Sequence, residues 1–119
     1  MSGRLTTHVL DTARGRPGAG IPVQLSRLDP DTGAREALKV VLTNADGRTD
    51  EPLLAGDALG PGVYELSFRI GAYFADLADT GDVPFLDEVP LRFGIADPAA
   101  HYHVPLLLSP HGYSTYRGS

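Results

Sequence analysis

The chain has 119 residues, ten Lys and Arg against fifteen Asp and Glu, a formal net charge of -5 and no cysteine. A domain of that length buries roughly two-thirds of the surface its unfolded form exposes, enough for a core without covalent staples. The lack of thiols excludes a disulfide framework, a thiolate zinc site and a cysteine nucleophile. The acidic balance and scattered cations argue against nucleic acid or an anionic membrane as partner.

In chain order, residues Met1 to Thr7 enter strand-like alternation with no apolar leader core, and no apolar run is long enough to span a bilayer. The expected address is cytoplasmic. Alternation of period two predicts strands over 4–11, 21–28, 38–43, 63–70, 88–95, 102–109 and 112–116, with a short one near Leu53. The clearest is Tyr64, Leu66, Phe68 and Ile70 set against Val63, Glu65, Ser67 and Arg69. Turn signals separate them: Gly15-Arg16-Pro17-Gly18, Asp29-Pro30-Asp31-Thr32-Gly33, Asn44-Ala45-Asp46-Gly47, Gly60-Pro61-Gly62 and Asp97-Pro98. Residues 72–79 lack the alternation and place Tyr73 and Phe74 beside Leu77 at helical spacing, which predicts a short helix. Seven to eight short strands with Gly and Pro breaks describe an all-β sandwich or barrel, one domain over 1–119.

Parity sorts the polar residues. In the first strand His8 shares the more polar face with Arg4 and Thr6, opposite Leu5, Thr7 and Val9. In the strand over 102–109, His103 lies opposite the apolar row Tyr102, Val104, Leu106 and Leu108. Two imidazoles on the polar faces of two strands meet if those strands are neighbours, and His suits proton transfer near neutrality. A lone strand His is more often a solvated or structural residue. Arg48, after Asp46-Gly47, reads either as a solvated turn residue or as a planar cation for a carbonyl or developing oxyanion. The chain closes on Tyr116, Arg117, Gly118 and Ser119, an aromatic hydroxyl, a guanidinium and a terminal carboxylate set close behind an apolar strand. His101 and His103, with His8, could in principle supply three imidazoles to an open zinc site, although no carboxylate follows closely as a further ligand. No nucleophile elbow, P-loop or dinucleotide fingerprint occurs.

The segments Leu5-Thr6-Thr7-His8-Val9-Leu10-Asp11, Asp46-Gly47-Arg48, Tyr102-His103-Val104-Pro105-Leu106-Leu107-Leu108-Ser109-Pro110 and Tyr113 to Ser119 together resemble the transthyretin-related 5-hydroxyisourate hydrolase family from end to end. The closing Tyr-Arg-Gly-Ser separates the hydrolases from transthyretin, the carrier of the same fold. The resemblance implies a transthyretin-like sandwich of two antiparallel sheets with a short helix after the fifth strand. It implies a homotetramer whose facing sheets enclose a channel, with active sites near the subunit interface. The implied reaction is hydrolysis of a ring amide of 5-hydroxyisourate, in urate breakdown, with neither metal nor organic cofactor. Carried over by motif, His8, Arg48 and His103 form the catalytic core, and Tyr116, Arg117 and Ser119 complete its wall, with Ser114 as a further contact. His101 and His111 fall outside the motif and read as structural or solvated. The competing reading is a non-catalytic transthyretin-like carrier of a small ligand.

Overall fold

A computed structural model describes residues 3–77 and 83–118. Two sheets face one another. The first runs β2 (Arg16–Pro17), β1 (Arg4–Asp11), β8 (His101–Ser109), β9 (Gly112–Thr115), with β5 (Leu54–Ala55) pairing the start of β1. The second runs β4 (Arg35–Leu42), β3 (Pro22–Leu28), β6 (Gly62–Arg69), β7 (Glu88–Ile95).

In β1 and β8 the alternation seen in the sequence is the alternation of burial, whereas in β6 Glu65 and Ser67 of the polar row are buried along with Tyr64, Leu66 and Phe68. In β1 the buried residues are Leu5, Thr7, Val9 and Asp11, and in β8 Tyr102, Val104, Leu106 and Leu108 turn inward. From the other sheet Val23, Leu25, Tyr64, Leu66, Phe68 and Val89 meet them in one apolar cluster. Each fully buried Leu, Val or Phe there contributes about 1.5–3 kcal/mol relative to an exposed one. The one polar intruder at the centre of β1, Thr7, is satisfied: its hydroxyl donates to the Val104 carbonyl at 2.7 Å, tying β1 to β8 within the core.

Three expectations need correction. The sheets are mostly but not wholly antiparallel, because β1 and β8 run parallel, with Arg4 opposite His101 and Thr6 opposite His103. A parallel pair requires a long crossover, and here everything between the two strands supplies it. Alternation carries no information about strand direction. Among the described residues nine strands form rather than seven to eight, the addition being Arg16–Pro17, hidden in a stretch dominated by turn residues.

The helix expected over 72–79 is a run of turns in its described part. Phe74 N–H reaches the Ile70 carbonyl at 3.3 Å, but Ala75 and Leu77 bond three residues back, so no i to i−4 ladder builds. Tertiary contacts hold the segment instead: Asp87 O accepts from both Ile70 and Gly71, and the Tyr73 hydroxyl donates to buried Asp11 at 2.7 Å. Ala78 and Asp79 lie outside the described residues. Helical structure among the described residues is one 3₁₀ turn, Gly56–Ala58, and no helix is long and apolar enough to cross a membrane.

Candidate active site

The middle of one edge of β1 has no strand beside it. β5 covers Arg4 and Leu5, β2 covers Leu10 and Asp11, and the gap is filled by the 44–48 turn, whose Gly47 carbonyl accepts from Val9 N–H at 2.7 Å. The turn is held by the Asn44 side chain, which accepts from the backbone N–H groups of Asp46 (2.9 Å) and Arg48 (3.1 Å). Gly47 sits at φ +76, and a Cβ there would lie 2.3 Å from the Val9 carbonyl oxygen, so only glycine lets the turn close on the strand. Arg48 follows directly, and its charge acts on both His8 and His103.

On the other side of β1 the parallel register sets Thr6 opposite His103 and His8 opposite Pro105. His8 and His103 thus occupy the same outer face on neighbouring strands, two residues apart in register. Both are half-buried. The His8 Nε2 atom is 3.0 Å from the Asp46 carbonyl, which can only accept, so neutral His8 carries its proton on Nε2 and bares Nδ1. Thr6 Oγ1 lies 2.7 Å from His103 Nδ1 and 3.1 Å from His101 Nε2. The chain end closes the far side of His103, where Gly118 N–H donates to the His103 carbonyl at 2.7 Å and the Gly118 Cα packs on the imidazole.

The electrostatics favour neutral imidazoles. Burial lowers the pKa of His103 below 6.5, and the Arg48 guanidinium, His101 and His8 push it the same way. Burial and then Arg48 lower His8 too, against a smaller opposing pull from the Asp46 carbonyl and carboxylate. Two proton acceptors that are free at neutral pH, next to a permanent cation, can take a proton from water and offset negative charge on an oxygen. Among the described residues no group of three or more His, Asp or Glu side chains is arranged to hold a metal ion, so His8, His101 and His103 do not gather as a zinc set.

Tyr116, Arg117 and Ser114 lie apart from the two imidazoles. Tyr116 and Arg117 line a groove of about 570 Å³ between β7 and the β8–β9 edge, together with Leu91, Phe93, Tyr102 and Val104. The Arg117 guanidinium stacks 4.1 Å above the Tyr102 ring and donates to the His101 carbonyl at 3.3 Å, which turns it away from the imidazoles. Ser114 pairs with Leu107 and shares the outer face with His103, but four residues, about 13 Å, farther along. Ser119 lies outside the described residues. Sequence reasoning passed over Thr6 and the Asp46 carbonyl, and it set His101 apart from the site. Parity had already put Thr6 on the face of His8; what was missing was the register that brings β8 alongside.

Residues 5–118 match the model of the HIUase/Transthyretin family. The chain is 59% identical to 5-hydroxyisourate hydrolase 2 of Rhizobium meliloti (strain 1021), covering 99% of this chain and 98% of that one. It superposes on the structure of Klebsiella pneumoniae 5-hydroxyisourate hydrolase with a TM-score of 0.75 at 36% identity, over 98% of this chain and 94% of the other. It also superposes on a crystal structure of (S)-allantoin synthase, with a TM-score of 0.91 at 47% identity over 99% of this chain, and spans 44% of that longer chain. From Leu5 to Gly118, this chain belongs to the HIUase/Transthyretin family.

Proposed function

We propose that the protein hydrolyses a ring amide of 5-hydroxyisourate to give 2-oxo-4-hydroxy-4-carboxy-5-ureidoimidazoline, in urate breakdown, without metal or organic cofactor. The observation that carries this reading is that His8 and His103 share the outer face of two neighbouring strands, with the Arg48 charge acting on both and both imidazoles held toward neutrality. Full-length relatives named for this activity support it.

An imidazole takes a proton from water as the water oxygen bonds to the lactam carbonyl carbon, and Arg48 offsets the charge on the carbonyl oxygen. The imidazolium then returns its proton to the ring nitrogen as the carbon–nitrogen bond breaks. The products are a carboxylic acid, which loses its proton to solvent, and a ureido N–H. General-base assistance contributes about 10²- to 10⁴-fold, and one oxyanion donor about 3–4 kcal/mol. The chain works as a homotetramer in which a facing sheet covers the outer face of β1 and β8. Tyr116, Arg117, Ser114 and Ser119 then act as channel wall rather than as reacting groups.

A transthyretin-like carrier would leave this cluster without purpose, since a bound ring needs no pair of basic imidazoles. The two readings separate in the ultraviolet decay of freshly generated 5-hydroxyisourate at protein far below substrate. Many turnovers per chain are expected; decay at the spontaneous rate, or retarded in proportion to protein, would reject the enzyme and favour the carrier.

A further inference from the structure

Thr6 places one oxygen between two imidazoles, 2.7 Å from His103 Nδ1 and 3.1 Å from His101 Nε2. A hydroxyl has one hydrogen and two lone pairs. It can therefore satisfy a lone pair on only one of the two rings, and the other ring must bring its own N–H. The state of each imidazole is tied to the other through this single hydrogen.

The surroundings decide which way the chain of bonds runs. His101 is exposed, so its second nitrogen meets solvent and either tautomer is tolerated. His103 is more constrained: Nδ1 is committed to Thr6, the Cδ2 edge rests on Gly118, and Nε2 has no hydrogen-bond partner among the described residues. The cation of Arg48 acts on this ring, and a nearby positive charge favours an exposed lone pair over an exposed N–H. We infer that Thr6 is a positioning residue that fixes the proton of neutral His103 on Nδ1, accepting from it while donating its own hydrogen to His101 Nε2, so that His103 Nε2 stands bare as the general base.

This rests on the hydrolase reading and deepens it by naming the basic atom. When water gives its proton to Nε2, the O–H bond breaks, an N–H bond forms, and the Nδ1–H bond to Thr6 is kept, so no group has to turn during the step. Thr6 fills the orienting place that a third group takes in other nucleophile–base systems, and His101, outside the reaction itself, holds the hydroxyl in the right sense.

The test combines ¹⁵N NMR of His103 with steady-state kinetics on 5-hydroxyisourate. Wild-type protein should show Nδ1 protonated and Nε2 bare. In Thr6→Val the ring loses its acceptor, and in His101→Phe the hydroxyl hydrogen is released to His103 Nδ1. Both should raise the Nε2–H fraction and lower kcat by about 10- to 10²-fold, within the range a general base supplies, with KM little changed. Thr6→Ser should restore both readouts. An Nε2–H tautomer in the wild type, or a Val variant with unchanged tautomer and rate, would overturn the inference. Because the spectrum needs no substrate, failure of the hydrolase reading would leave the expected tautomer pattern in an inactive wild type, whereas failure of this inference alone would leave an active enzyme with the wrong tautomer.

Discussion

Gly118→Ala adds one methyl group at the point where the chain end meets the site. The added Cβ would lie 2.6 Å from His103 Cδ2 and 3.2 Å from Cγ. Ordinary contact begins near 3.4 Å, so either the imidazole or the tail must retreat. Backbone strain is not an issue, since Gly118 is outside the left-handed region. If the ring moves, it leaves Thr6. If the tail moves, the 2.7 Å bond from Gly118 N–H to the His103 carbonyl opens, a loss of about 0.5–1.5 kcal/mol. Either movement unseats one wall of His103, and a misplacement of about 1 Å in a reacting group lowers rate by about 10²-fold. The substitution touches no core residue, so thermal unfolding should shift by no more than the lost hydrogen bond accounts for. The assay is kcat/KM for 5-hydroxyisourate beside a melting curve. A variant with wild-type kcat/KM would refute the claim that the chain end seats His103.

The pH profile follows from the directions of the two histidine shifts. Both pKa values lie below 6.5, so the basic forms are already populated at neutrality; kcat/KM should be level through pH 7–8 and fall only as pH drops below about 6.5. Arg48→Gln removes a contributor to both shifts, so besides slowing the reaction it should move the acid limb to higher pH; an unmoved limb would contradict the coupling. Gly47→Ala forces a side chain into left-handed backbone against the Val9 carbonyl, and should lower stability by at least about 1–2 kcal/mol as well as activity, read by denaturant unfolding and kinetics together. Exhaustive chelation should leave activity intact, and loss restored by added zinc would revive a metal role for the imidazoles. Sedimentation equilibrium should give four times the chain mass.

Strand existence was legible because each β-strand of the core keeps one face dry: the alternation through Tyr64, Leu66 and Phe68, or through Leu5, Thr7 and Val9, is imposed by the sandwich itself. The faces of His8 and His103 followed from the same count. Their proximity did not, because it depends on a parallel register between residues about a hundred positions apart, and local pattern is silent on register partners. The helix expected over 72–79 did not form in its described part because distant partners hold Tyr73 and Phe74: Asp11 accepts from the Tyr73 hydroxyl and Phe74 is buried in the core. Arg117 was assigned to the site by motif, yet its guanidinium finds the face of Tyr102, an attraction no linear spacing announces.

The most direct measurement is the decay of 5-hydroxyisourate with wild-type protein, His8→Ala, Arg48→Ala and His103→Ala side by side, each first shown to be folded. Wild type should accelerate decay with many turnovers, and His103→Ala should return it to within a few-fold of the spontaneous rate, with the other two strongly slowed. Equal acceleration by wild type and His103→Ala would contradict the account.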